Sequence, residues 1–468
     1  MAATLFDKLW DAHLVGRRAD ERDIIYMDRV VVHDLHGPRA FAGLQQKGRT
    51  VRRPDLTFLV NDHRAATNPG RDPNGVAHGV GNIRAMREGA QSYGIHLYDI
   101  ANPEQGISHV IAPELGIVLP GMTYAVPDSH ACTVGGLGSL AFGSGTTELE
   151  HTLATQTMAL KRPKTMRVIL EGRLGPGVSA KDAALRMIAE LGVDGGRDHA
   201  VEFAGSVVRA MPLEGRFTLC NLAIEMGART GLVAPDDITI EWLADRPWVP
   251  QGAMWDRAVA HWRTLPSDAN AAFDCEVTVN CGNLEPQVSW GTDPSQVIGI
   301  SGRVPNPVGA DPQQRAAMTR ALDYMGLTPG TDIDGLPINR VFIGSCTNSR
   351  LSDLQNAAAV LRGRHIADGV TALLVPGSTT VRRQAEELGL DKIFKDAGFV
   401  WGESACSMCS GGNGDRGVLG DRIASTTNRN FESRQGKGVR THLMSPAMVA
   451  AAAVAGRLVD VRRLIAGA

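Results

Sequence analysis

Cys406 and Cys409 form a Cys-x-x-Cys pair within Ala405-Cys406-Ser407-Met408-Cys409-Ser410-Gly411-Gly412. A third cysteine, Cys346, stands upstream in Val341-Phe342-Ile343-Gly344-Ser345-Cys346-Thr347-Asn348-Ser349. Thiolates ligate soft metals, so three of them in small, flexible turns are a candidate metal centre. Spacing alone leaves three readings open. A structural zinc needs four closed ligands, and no second Cys-x-x-Cys or His pair accompanies this one. A thioredoxin-like redox pair has no use for Cys346. An iron–sulfur cluster on four thiolates carries electrons, whereas three leave one iron free for substrate or water. Cys132, Cys220, Cys275 and Cys281 read as small buried hydrophobes.

A second set of candidates pairs carboxylates with imidazoles. Asp62 and His63 adjoin at the end of the apolar run Thr57-Phe58-Leu59-Val60. Side chains alternate along a strand, which predicts opposite faces and separate partners for the two. Asp128 and His130 are two residues apart and can share a face. A carboxylate beside an imidazole fixes its tautomer and makes it a proton donor or relay. The loop from Asn428 to Gly438 carries Arg429 and Arg434 among glycines. Guanidinium forks clamp carboxylates, and glycine lets backbone approach a ligand. Aromatic residues are sparse there, so a small anion suits the loop better than a single-stranded nucleic acid. Gly143-Ser144-Gly145-Thr146-Thr147 lacks the lysine of a phosphate-binding P-loop, and close helix packing is its expected role.

The elements that must hold these residues follow from the apolar periodicity. Three apolar residues, a Gly-Ser-Cys turn and a polar stretch before Leu351 to Arg362 predict strand, turn and helix, with Cys346 near a helix N-terminus that favours a thiolate. Strands are expected over 24–35, 57–60 and 95–99, with a helix at 79–89 and a helical run at 148–160. Further on come a strand at 166–170, a helix at 180–191, a strand at 200–203 and a helix at 219–227. The last part carries further segments at 372–375, 380–388 and 398–401 before the Cys406 loop, and an expected strand at 423–426. Apolar strands ending in polar, glycine-rich loops are the pattern of parallel α/β sheets, whose strand ends carry chemistry. The expected domains are 1–162 with the Asp-His motifs, 163–285, and 286–468 with the cysteines and arginines.

Bulk properties narrow the function classes. Net charge is −2 with a pI near 6.7, so no global basic field draws nucleic acid. Glycine is frequent, 53 of 468 residues, above the typical ~7% and suited to tight loops. The start of the chain lacks a secretory signal, and the run Ala447 to Ala455 is too short to span a bilayer. Seven cysteines without a dense framework fit a reducing cytoplasm.

Taken in order, Asp62-His63, Asp128-Ser129-His130, Gly344-Ser345-Cys346-Thr347-Asn348-Ser349, Cys406-x-x-Cys409 and Asn428-Arg429-Asn430-Phe431 resemble the aconitase/isopropylmalate isomerase family of iron–sulfur hydro-lyases. The likeness extends from Lys8-Leu9-Trp10-Asp11-Ala12-His13 through Thr218-Leu219-Cys220-Asn221 to Arg440-Thr441-His442-Leu443. It implies three three-layer α/β domains around a central iron–sulfur cleft, without the swivelling fourth domain of single-chain members. Cys346, Cys406 and Cys409 match the ligands of one 4Fe–4S cluster with an open iron site. Asp62, His63, Asp128 and His130 match catalytic positions, as do His109 and Glu202 on weaker local signatures. Asn428, Arg429 and Arg434 match substrate and neighbouring contacts. The chain ends at Ala468 after the third domain, so the resemblance implies a heterodimer with a small subunit carrying the swivelling domain. Its implied activity isomerises 2-isopropylmalate and 3-isopropylmalate in leucine biosynthesis. Related hydroxy di-acids (methylmalate/citraconate, homocitrate/homoaconitate) are the alternative, and an apo nucleic-acid-binding regulator is the remote one. Pro127 replaces a common Gly, Val134 stands in an altered run, and Ser410-Gly411-Gly412 replaces bulkier residues. These departures bear on which acid is read.

Overall fold

A computed structural model describes residues 2–72 and 79–465 of the chain; the sequence expectations at Met1 and Ala468 lie outside the described residues. By internal contacts the described residues form two compact units. The first takes those of Met1–Arg64, Pro73–Gly172 and Asp194–Val279; the second takes Ala65–Asp72, Arg173–Val193 and those of Asn280–Ala468.

The first unit is built on a five-stranded sheet in the order His96–Tyr98, Thr57–Val60, Arg29–His33, Thr123–Val126, Leu140–Gly143. Every neighbouring pair is parallel. Thr57–Val60 and Thr123–Val126 are buried at all four positions, as strands covered on both faces must be. In order of appearance the strands run 3-2-1-4-5, and the order reverses beside Arg29–His33. Such a reversal opens a crevice at the carboxyl ends of the flanking strands. A second sheet places Thr230–Val233, His199–Ala204, Lys164–Glu171 and Cys275–Asn280 side by side. The helix Leu5–His13 is set by a capping box between Thr4 and Asp7 and buries Leu5, Phe6, Leu9 and Trp10 in the unit's core.

The second unit repeats the topology. Its sheet runs Val400–Trp401, Thr371–Leu374, Arg340–Ile343, Arg422–Ser425, Arg440–Leu443, parallel throughout and again 3-2-1-4-5. Helices Leu351–Leu361 and Pro446–Ala455 pack on it through small residues, Ala357, Ala358 and Ala450–Ala453 among them. The hairpin pair Gln287–Ser289 and Val297–Gly299 lies on the helix Ala180–Leu191 and beside the last strand.

Two sequence expectations are corrected here. The helical run at 148–160 is the helix Thr146–Thr155 followed by the strand Thr157–Leu160. Gln156 ends the helix in the left-handed region at φ 61, tied to Met27 by its backbone carbonyl and side-chain amide. The strand then pairs antiparallel with Asp23–Tyr26, tertiary pairing that local periodicity does not encode. The helix expected at 219–227 is Leu213–Asn221, continued by a 3-10 turn at Leu222–Met226.

Candidate active site

In the first unit, three loops leave the crevice end of the sheet and converge on Asp128. Asp128 caps the 3-10 segment Ser129–Leu137 by accepting from the His130 N–H at 2.7 Å. Its carboxylate also meets His109 Nε2 at 3.0 Å, His130 Nδ1 at 3.5 Å and His63 Nε2 at 3.6 Å. Burial would raise this carboxyl, but hydrogen bonds from the three imidazoles outweigh it and hold Asp128 well below the usual range. His130 is bound on its other side by Glu225, Nε2 to Oε1 2.7 Å, with both side chains buried.

Asp62 and His63 overturn the expectation of separate partners. His63 Nδ1 donates to Asp62 Oδ1 at 2.6 Å, because the pair lies beyond the strand end, where alternation no longer applies. Asp62 also accepts from the Ser108 N–H at 2.9 Å. Burial opposes its charge, yet the His63 imidazole and these bonds bring it down to about 2. His63 thus sits between two carboxylates, which fixes Nδ1 as a donor and leaves Nε2 toward Asp128.

Sequence reasoning passed over the layer beneath. His33 stacks on His63 with ring centroids 4.2 Å apart. Its Nε2 donates to the Pro127 carbonyl at 2.9 Å, and its Nδ1 accepts from the Leu35 N–H. Burial, reinforced by the neighbouring His63 charge, pushes it down to about 3, so it is a neutral spacer. Asp34 accepts from the N–H groups of His63 and Arg64 at 3.0 and 2.9 Å. Burial, then repulsion from Asp62, pushes Asp34 up to about 7. His33, Asp34, Asp62 and His63 crowd within 4.8 Å of one another. Both His33 nitrogens are already committed to backbone partners, so that ring offers no lone pair to a metal. The His-Asp doublet at a strand end was the signal for this layer, the same one that marked Asp62-His63. Glu225 had no comparable local signal. Glu202 is not gathered with these residues: it is buried on the strand His199–Ala204, and its carboxylate accepts from Ser267 Oγ at 2.6 Å.

In the second unit the same crevice position holds the cysteines. Cys346 follows the first strand of the sheet, Cys406 and Cys409 the third, and Asn428 the fourth. All three cysteines and Asn428 are buried. The Asn428 amide joins two of the sulfurs, with Nδ2 3.7 Å from Cys346 Sγ and Oδ1 3.8 Å from Cys409 Sγ. Ser345 Oγ lies 3.3 Å from Cys409 Sγ and 4.0 Å from Cys346 Sγ. The backbone here is strained: Ser345 has φ 85 and Ser407, between the paired cysteines, has φ 51. Asp415 holds the second turn, accepting from Ser407 Oγ at 2.6 Å, Asn413 Nδ2 at 2.8 Å and Thr67 Oγ1. The loop expected to read an anion puts half-buried Arg429 directly after Asn428. Arg434 lies over the Phe431 ring, 5.3 Å to its centroid, and its buried Nε has no hydrogen-bond partner among the described residues. Of the other cysteines, Cys132, Cys220 and Cys281 are buried as expected, whereas Cys275 is only half-buried.

The aconitase family (aconitate hydratase) matches residues 7–456. The chain belongs to the aconitase family. Within it, the chain is 53% identical over 462 residues to 3-isopropylmalate dehydratase large subunit 1 of Bradyrhizobium diazoefficiens, covering 98% of this chain and 97% of that protein. A solved structure, aconitase X of Thermococcus kodakaraensis in its holo-form, is similar at 13% identity with a TM-score of 0.46, over 91% of this chain and 89% of that one. The mixed α/β architecture with several parallel sheets is that of an aconitase-family chain.

Proposed function

We propose that this chain is the cluster-bearing large subunit of a two-chain hydro-lyase that interconverts 2-isopropylmalate and 3-isopropylmalate by dehydration and rehydration, a step of leucine biosynthesis. The observation that carries the reading is 53% identity, over nearly the full length of both chains, to a 3-isopropylmalate dehydratase large subunit.

The donor set suits a 4Fe–4S cluster. Three buried cysteines rise from strand ends, and one buried amide touches two of their sulfurs. Bound there by Cys346, Cys406 and Cys409, a cluster with one free iron supplies a Lewis acid for a hydroxyl and a carboxylate. The protein's own groups do the rest. Arg429 and Arg434 offer guanidinium donors to the carboxylates of a hydroxy di-acid, and the unpartnered Arg434 Nε supports that role. His63, braced by Asp62, and His130, braced by Glu225, hold a proton for the departing or returning hydroxyl. Asp128, held ionised, keeps His63, His109 and His130 turned toward one point. A small subunit with the swivelling domain completes the enzyme, a partner suggested by the relative's designation as a large subunit. Among the described residues no helix is long and apolar enough to cross a membrane; seven free cysteines without a disulfide framework support our placing the protein in the cytoplasm.

Anaerobic co-expression with a candidate small subunit, followed by iron and sulfide analysis and substrate profiling, tests this reading. Turnover of 2-isopropylmalate is expected in the wild type, with both cluster and turnover lost in Cys406→Ser. Preference for citraconate or homocitrate would move the substrate and keep the chemistry. Wild-type protein that takes up neither iron nor sulfide on reconstitution would sink the proposal.

A further inference from the structure

Lys181 is fully buried in the second unit. It is the second residue of Ala180–Leu191, at the positive end of the helix dipole, where a positive charge is disfavoured. Burial adds a desolvation cost that a lysine normally escapes by reaching solvent. Its Nζ instead donates to two backbone carbonyls, Thr426 at 2.8 Å and Thr427 at 2.7 Å. No carboxylate forms an ion pair with it among the described residues. The nearby acids are committed elsewhere: Asp182 accepts from Ser179 and the Gln287 N–H, and Asp353 from Asn348 and the Arg350 N–H. Desolvation brings Lys181 down to about 7, against the pull of Asp353, Cys409, Asp182 and Cys346. The two cysteines in that set are the ones whose sulfurs touch Asn428.

The two carbonyls that Lys181 grips immediately precede Asn428. Thr426 is fastened on its other side by an exchange with Gly344, Oγ1 to the carbonyl and the amide to Oγ1, both at 2.9 Å. Lys181 therefore anchors the turn that presents the Asn428 amide, while its charge lies among groups that become anionic when cysteine binds a metal. We propose that Lys181 is a positioning and charge-balancing residue for the group held by Cys346, Cys406 and Cys409, setting the Asn428 turn and stabilising added negative charge on that group.

This inference rests on the iron–sulfur reading above. The experiment reconstitutes the full chain anaerobically as wild type, Lys181→Met, Lys181→Gln and Lys181→Arg. It measures iron and sulfide content, thermal melting of the apo forms, and the cluster's reduction potential by spectroscopically monitored titration. Removing a positive charge makes further negative charge harder to add, so Lys181→Met and Lys181→Gln should shift the potential to more negative values. Lys181→Arg should stay near wild type. Lys181→Gln keeps a donor for the carbonyls, so it reads the charge if Lys181→Met does not fold. Should both neutral variants fold but fail to hold the cluster, its retention in Lys181→Arg supports the charge role, and its loss in all three overturns it. Equal potentials in wild type and both neutral variants overturn it as well, while leaving the iron–sulfur reading intact. A wild type that binds no cluster overturns both.

Discussion

Glu225 closes the far side of His130 at 2.7 Å, and that bond decides which way the imidazole can pass a proton. With Nε2 committed to a buried carboxylate, Nδ1 is the nitrogen left facing Asp128 and Ser129. Glu225→Gln keeps the shape and removes the charge that stabilises an imidazolium, so turnover should fall roughly 100-fold, within the range expected for general acid–base groups. Glu202→Gln supplies the contrast: with its partner at Ser267 it should alter stability by about 1 kcal/mol and leave turnover near wild type. Steady-state kinetics of the two variants beside each other checks the assignment; equal losses would return Glu202 to the reaction. The difference between these glutamates was not legible in the sequence. Both stand in apolar surroundings, and only the 95-residue return of the chain brings Glu225 to His130. Cys406 and Cys409 were legible because a fixed short spacing is itself a signature, and Asp62-His63 because adjacency marked it. The partnering of Asp62 with His63 was misread because the strand, and its alternation, ends at Val60, two residues before Asp62.

Both five-stranded sheets run 3-2-1-4-5, and both carry their chemistry in the loops that leave the strands flanking the reversal. In the first unit those loops bring His33, Asp34, Asp62, His63 and Asp128; in the second they bring Cys346 and Asn428, with the cysteine pair from the strand beyond. The strands could be read from sequence because parallel strands covered on both faces are short apolar runs. Their order could not, since pairing joins segments that share no local pattern. Glycine sets how closely such loops pack. A Cβ on Gly143, at the end of the edge strand Leu140–Gly143, would come within 2.5 Å of the Asp128 carbonyl oxygen and 3.4 Å of Ser129 Cα. Those are backbone atoms and cannot swing aside. Gly143→Ala should therefore cost about 1–3 kcal/mol and displace the cap formed by Asp128. Urea denaturation with turnover measured on the same preparation checks this, and a variant matching wild type in both would mean that the loop shifts freely.

Among the described residues, each unit buries a histidine that its surroundings keep neutral, His33 in the first and His442 in the second. His33 donates to Pro127 and accepts from Leu35; His442 donates to the Ser289 carbonyl at 2.7 Å and accepts from Arg422 at 3.0 Å. Burial, followed by a like-charged neighbour (His63 or Arg422), pushes each down to about 3. An unfolded histidine takes its proton near ~6.5. Between those values the unfolded chain binds protons that the folded chain refuses, so both histidines make stability fall as pH drops below about 6.5. Asp34 acts in the opposite direction. Its folded value of about 7 lies above an unfolded ~3.9, so over that interval the folded chain holds the extra proton and stability rises on acidification. The two histidines, joined by His36 and by carboxylates held low such as Asp62 and Asp128, outweigh Asp34 and the raised Asp182 and Glu202, so the balance on acidification is a loss of stability. The urea midpoint of the apo protein should therefore be lower near pH 5 than near pH 7. Asp34→Asn removes the opposing proton and should steepen the decline; a midpoint that holds constant or rises toward pH 5 would mean that the two imidazoles are charged in the folded chain.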